Sequence, residues 1–96
     1  MQNYTLNNGM EIPVIGFGCY NPKGGDNVQI IKDAIESGYT FLDTASLYET
    51  ERALGQAIKE SGVSRDKLFI QSKLWIDEMG YDNAKAAIER SLKRLQ

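Results

Sequence analysis

The chain has 96 residues, 42% hydrophobic and 25% charged, with a formal net charge of −2, which fits one small globular domain. No basic run implies nucleic acid, and no apolar stretch approaches a membrane span. The start, Met1-Gln2-Asn3-Tyr4-Thr5, lacks the charge and apolar core of a signal peptide, so a cytoplasmic protein is expected. Cys19 is the single cysteine and there is no histidine. An internal disulfide is therefore ruled out, a reducing compartment fits, and no metal site of the usual zinc-ligand types is expected.

In chain order, residues 5–12 read as a short β-hairpin, because Asn8-Gly9 tolerates positive φ at both positions. Pro13 lacks a ladder donor and ends the second arm. Residues 14–18, Val-Ile-Gly-Phe-Gly, read as a buried strand, followed by a loop through Pro22, Gly24 and Gly25. Asp26 is a candidate N-cap with Gln29 as its capping-box partner. Val28, Ile31, Ala34 and Ile35 then form a helical stripe that Gly38 ends. Residues 39–43 make a second strand. A second helix runs from about Thr50 to Ser61, with Leu54, Ala57 and Ile58 on one face and Gly62 at its end. Ser64-Arg65-Asp66-Lys67 is a polar turn. Residues 68–74 make a third strand. A third helix starts near Asp82 and carries Ala84, Ile88, Leu92 and Leu95 on one face. After a hairpin over residues 1–13, residues 14–96 therefore read βαβαβα, an α/β chain with a parallel sheet and right-handed crossovers.

In such a sheet, chemistry collects where strands end and helices begin. Asp43 ends one apolar run, Tyr48 follows five residues later, and Lys73 ends the run Phe69-Ile70-Gln71-Ser72-Lys73. An acid, a phenol and an amine thus converge on one rim. A nearby ammonium favours the phenolate, which would let a tyrosine serve as an acid near neutral pH. Taken singly, each residue has a plainer reading: a cap or ion-pair partner for the aspartate, packing for the tyrosine, solvation for the lysine. Two adjacent strand-to-helix junctions favour the joint one.

Gly16-Phe17-Gly18 opens like a dinucleotide fingerprint, but position 21 is Asn, so a tight turn that also lets something approach the backbone is the better reading. Alternation puts Lys73 and Trp75 on one side of a strand if the strand reaches that far, making Trp75 a core residue or a pocket wall. Tyr20 and Leu47 are candidate walls of the same pocket. Cys19 has no basic neighbour and reads as a small buried residue.

These residues resemble the N-terminal part of an aldo-keto reductase. The resemblance covers the whole chain. It rests on Gly38-Tyr39-Thr40-Phe41-Leu42-Asp43-Thr44-Ala45 followed by Tyr48, Glu51 and Leu54-Gly55, on Ser72-Lys73-Leu74-Trp75, and on Gly16-Phe17-Gly18-Cys19-Tyr20. It implies a (β/α)8 TIM barrel closed at the bottom by the hairpin, with the site at the C-terminal face of the strands. The 96 residues supply the hairpin and about three of the eight βα units. It also implies NADPH, in some members NADH, and reduction of aldehydes and ketones. By resemblance Tyr48 is the general acid, Lys73 the lysine that assists it, and Asp43 the aspartate that supports Lys73 and contacts cofactor ribose. Gly18, Cys19 and Tyr20 lie near the cofactor, and Tyr20, Leu47 and Trp75 line the substrate pocket. Cys19 stands where Thr is usual, Tyr20 where Trp is common, and Thr50 where Asn is common. Thr40 and Phe41 replace an Arg and a small or His residue. The family's catalytic histidine would lie beyond Gln96.

The leading expectation is therefore the N-terminal portion of a carbonyl reductase acting on a small molecule. The alternative is a non-catalytic fragment with a binding or regulatory role. A third reading, a barrel enzyme of unrelated chemistry, is opposed by the paired motif blocks. With two open sheet edges, the 96 residues alone are expected to self-associate and to be inactive.

Overall fold

The computed structural model describes residues 2–20, 27–48 and 50–96. The expected cap at Asp26 and the loop through Pro22, Gly24 and Gly25 lie outside them. The hairpin pairs β1 (Asn3–Thr5) with β2 (Glu11–Pro13) antiparallel. Of its two turn residues only Gly9 takes positive φ, +87°. The loop closes with Gly9 N–H donating to the Leu6 carbonyl at 3.0 Å and Leu6 N–H to the Met10 carbonyl at 2.7 Å. This is a three-residue loop with a bulged glycine, not the two-residue loop expected. Asn8 contributes through its side chain, whose Oδ1 accepts from Met10 N–H at 3.0 Å.

A three-stranded parallel sheet follows: β3 (Phe17–Gly18), β4 (Phe41–Asp43) and β5 (Phe69–Gln71), in that order. Helix α1 (Val28–Glu36) joins β3 to β4, α2 (Glu51–Ser61) joins β4 to β5, and α3 (Tyr81–Leu95) follows β5. The helices lie side by side, α1 against α2 and α2 against α3. Gly38 and Gly62, with φ of +107° and +74°, end the first two. The Gln29 amide donates to Asp33 Oδ1 at 2.8 Å.

The strand alternation sorts the two faces of the sheet. Leu42 points into a core with Ile31, Ile35, Leu54, Ala57, Ile58, Leu68 and Cys19. On the other face Phe41 meets Phe69 edge-on, with ring centroids 5.3 Å apart. The first expected strand is shorter than the sequence suggested, and Val14 and Ile15 are exposed rather than buried, because β3 has one paired neighbour and no helix covers their side. The third strand ends at Gln71.

The third helix also departs from expectation. It begins at Tyr81, after Gly80, and its buried residue is Ala87; of the expected stripe Leu95 packs against the core, while Ile88 and Leu92 are exposed. A buried polar cluster sets this face. Glu51, 1% exposed at the start of α2, accepts from Arg94 Nε at 2.7 Å and Ser91 Oγ at 3.1 Å, both on α3, and forms an ion pair with Arg94 Nη2 at 2.5 Å. It also accepts from Ser72 Oγ, just past β5, at 2.5 Å. The ion pair turns α3 so that polar residues face inward.

Candidate active site

Register aligns Gly18, Asp43 and Gln71 in one row at the C-terminal ends of the three strands. Alternation turns the Asp43 and Gln71 side chains away from the helices, and Gln71 Nε2 donates to Asp43 Oδ1 at 2.8 Å. The pairing persists past the strand ends: Thr44 N–H donates to the Gln71 carbonyl at 2.7 Å and Ser46 N–H to the Lys73 carbonyl at 3.1 Å. This carries Lys73 alongside the segment after β4. Its ammonium donates to Asp43 Oδ1 at 2.7 Å and to the Thr44 carbonyl at 3.0 Å.

Tyr48 ends the 3₁₀ turn Ser46–Tyr48. Lys73 Nζ lies 5.0 Å from the centroid of its ring. The three residues singled out by sequence are therefore brought together. Burial acts to lower the Lys73 pKa, but the hydrogen bond and charge of Asp43, with smaller contributions of both kinds from Tyr48, raise it above its ordinary 10.5. Lys73 is thus a permanent cation at neutral pH, poised against a phenol.

The neighbouring residues separate into two groups. Tyr20 is exposed and its ring packs on Tyr48, centroids 5.0 Å apart at 58°. Leu47 and Trp75 line a different part of the rim, a cleft of about 440 Å³ shared with Ser46, Arg52, Asp77, Glu78 and Arg94. Of Tyr20, Leu47 and Trp75, expected as walls of one pocket, the last two are brought to this cleft and Tyr20 is not among its lining residues. Lys73 lines another cleft, with Leu74 and Ile88; the strand stops at Gln71, before alternation reaches Lys73 and Trp75.

Cys19 is 1% exposed, and burial, reinforced by the charge of Asp43, pushes its thiol up to about 12. Its N–H donates to the Asp43 carbonyl at 2.8 Å and its carbonyl accepts from Asn27 Nδ2 at 3.1 Å. Its side chain is a packing group. The two nearby glycines differ. A Cβ at Gly16 would lie 2.9 Å from the Phe41 ring, whereas one at Gly18 would meet nothing within 4 Å. Gly16 therefore serves packing, and Gly18 leaves open space beside Asp43. Among the described residues no cluster of metal-ligating side chains occurs, and no helix is long and apolar enough to cross a membrane.

Sequence reasoning missed Gln71, although its place opposite Asp43 in the same register row follows from the parallel pairing of the two strands. It also gave no role to Glu51 or Glu78, which have partners far along the chain, Arg94 and Ser46.

Comparison with known proteins identifies the family. Residues 14–96 match the family model described as Aldo/keto reductase family. Glyoxal reductase of Bacillus subtilis (strain 168) is 46% identical over 92 residues, covering 95% of this chain and 33% of that protein. Glycerol 2-dehydrogenase (NADP(+)) of Saccharomyces cerevisiae is 41% identical over 91 residues, covering 95% and 28%. The crystal structure of a Bombyx mori aldo-keto reductase in complex with NADP superposes with a TM-score of 0.89 at 36% identity, covering 98% of this chain and 34% of that one. The chain thus spans about a third of the length of the relatives it matches, and its sheet and helices form part of a (β/α)8 barrel.

Proposed function

Because the chain belongs to the aldo-keto reductase family of oxidoreductases, we propose that it carries the first part of the active site of an NADPH-dependent carbonyl reductase, with NADH as the alternative coenzyme. The observation that carries this reading is the Lys73 ammonium, 2.7 Å from Asp43 Oδ1 and 5.0 Å from the Tyr48 ring centroid.

Reduction of an aldehyde or ketone adds a hydride to carbon and a proton to oxygen. The coenzyme, when bound, supplies the hydride. Tyr48 gives its hydroxyl proton to the carbonyl oxygen as general acid. Lys73 stabilises the phenolate left behind, since an adjacent cation favours the ionised phenol. Asp43 holds Lys73 in place.

The residues present fit such a coenzyme. Gly18 leaves open space beside Asp43. Asp43 takes the Gln71 and Lys73 bonds on Oδ1, leaving Oδ2 as an acceptor for a ribose hydroxyl. Gly18, Cys19 and Tyr20 would border the coenzyme, Cys19 through its backbone, and Tyr20, Leu47 and Trp75 would contact substrate. In this reading a histidine on the fourth strand, outside these 96 residues, completes the site.

The test is NADPH oxidation by the complete polypeptide, with glyoxal as first substrate because the similar Bacillus protein is named a glyoxal reductase. Tyr48→Phe removes only the hydroxyl. It is expected to lower turnover by roughly 10²–10⁴-fold, the usual contribution of a general acid, while NADPH still binds. A Tyr48→Phe protein with near-wild-type turnover would exclude Tyr48 as the acid.

A further inference from the structure

Glu78 ends a 3₁₀ turn (Ile76–Glu78) between β5 and α3, and its side chain is 14% exposed. Its Oε1 accepts from Trp75 N–H at 2.8 Å and from the Ser46 hydroxyl. Its own N–H returns a bond to the Trp75 carbonyl at 2.9 Å. Oε2 faces Arg90 Nη2 of α3 at 3.6 Å. One carboxylate therefore joins two loops just beyond the last backbone bond between them, Ser46 N–H to the Lys73 carbonyl. One loop carries Leu47 and Tyr48, and the other carries Trp75. Leu47 and Trp75 line the same cleft, with Ser46 and Glu78 between them in its lining.

The Ser46 hydroxyl first and the Trp75 N–H second hold the Glu78 carboxyl below its usual range, against burial and with help from the Arg90 charge. At neutral pH the group is an ionised, acceptor-only side chain matched to two donors. A wall residue on a loop is only as well placed as the groups that anchor its backbone. Trp75 is anchored by Glu78 on both its N–H and its carbonyl.

We propose that Glu78 is a positioning residue for substrate selection: its carboxylate fixes the separation between the turn of Leu47 and Tyr48 and the loop of Trp75, and so sets the width of the cleft that admits the group attached to the carbonyl. This rests on the reading of Leu47 and Trp75 as substrate contacts and of Tyr48 as the acid.

The test compares wild type, Glu78→Ala, Glu78→Gln and Ser46→Ala in the complete polypeptide, using glyoxal and a bulky aromatic aldehyde. Glu78→Ala is expected to change the ratio of kcat/KM between the two aldehydes by on the order of 10-fold, mostly through KM. That is below the ~10²-fold that a full ångström of misplacement can cost. Glu78→Gln, whose amide oxygen still accepts both bonds, is expected to keep the wild-type ratio. Ser46→Ala should move part-way, and it carries the test if Glu78→Ala fails to fold. A second readout needs no turnover. In protein labelled with 5-fluorotryptophan, the Trp75 resonance, assigned by its loss in Trp75→Phe, should shift or broaden in Glu78→Ala and Ser46→Ala but not in Glu78→Gln. An unchanged ratio with an unchanged Trp75 resonance in Glu78→Ala would overturn the proposal, as would a Glu78→Gln protein that behaves like Glu78→Ala. A wild type that reduces neither aldehyde counts against the carbonyl-reductase reading, and the fluorine spectrum then decides alone whether Glu78 holds the two loops.

Discussion

Glu51→Ala is the substitution for which the structure gives the clearest energetic expectation. The carboxylate is 1% exposed, accepts three hydrogen bonds, one each from Arg94, Ser72 and Ser91, and pairs with the Arg94 charge. Removing one partner of a buried ion pair costs about 3–5 kcal/mol, most of it from the charge left behind. Arg94 keeps 23% exposure, so water can partly resolvate the guanidinium, and the expected loss lies near the lower end, ~3 kcal/mol. With a urea m-value of about 1–3 kcal/mol/M, the unfolding midpoint of the complete polypeptide should fall by roughly 1–3 M. Arg94→Met should cost at least as much, because it strands the more buried of the two charges. Glu51→Leu combined with Arg94→Leu should recover much of the loss, since neither charge then remains; the cycle of this double variant with Glu51→Leu and Arg94→Leu alone measures the coupling. A Glu51→Ala protein that unfolds at the wild-type urea concentration with an unchanged slope would refute this account of how α3 is held.

Three shorter expectations accompany it. A Cβ at Gly55 would lie 2.6 Å from the Arg94 carbonyl oxygen and 2.7 Å from that of Leu95. Gly55→Ala should therefore lose about 1–3 kcal/mol to overpacking, which outweighs the ~1 kcal/mol of helix propensity that alanine gains; urea unfolding checks the sign. Cys19, buried and with its thiol pushed up to about 12, should resist alkylation at pH 8 in the native state and react quickly in denaturant, as thiol-labelling rates will show. A polypeptide of these 96 residues alone leaves β3 and β5 unpaired on their outer edges and should self-associate without oxidising NADPH. Light scattering and an aldehyde assay would reveal a monomeric or active chain if this is wrong.

The parts legible in the sequence are those set by local rules. Gly38 and Gly62 stop helices through left-handed backbone, and Leu42 and Leu54 follow from simple periodicity into the core. Asp43 and Lys73 meet because both lie at the ends of adjacent parallel strands, a placement topology dictates. What escaped depends on long-range partners. Ile88 and Leu92 fit a helical stripe, yet α3 turns Ala87, Ser91 and Arg94 inward, because Glu51, 43 residues before Arg94, supplies a buried charge that periodicity does not register. Val14 and Ile15 read as buried because they are apolar, but burial requires a neighbouring element on that side. Residues past Gln71 were assigned to a strand on composition. The regular strand instead ends at Gln71, and only single backbone bonds such as Ser46 N–H to the Lys73 carbonyl continue beyond it.

The most direct test of the central claim is the pH–rate profile of Lys73→Met beside wild type in the complete polypeptide. Asp43 raises the Lys73 pKa above 10.5, outweighing the lowering by burial. The cation beside Tyr48 is therefore fully present at neutral pH and is lost only as pH rises through that raised value. Methionine keeps much of the side chain's bulk and removes the charge. The account predicts a large fall in kcat at neutral pH together with a displaced profile, because the phenolate formed on proton transfer loses its counter-charge. A Lys73→Met protein with both the wild-type rate and the wild-type profile would contradict it.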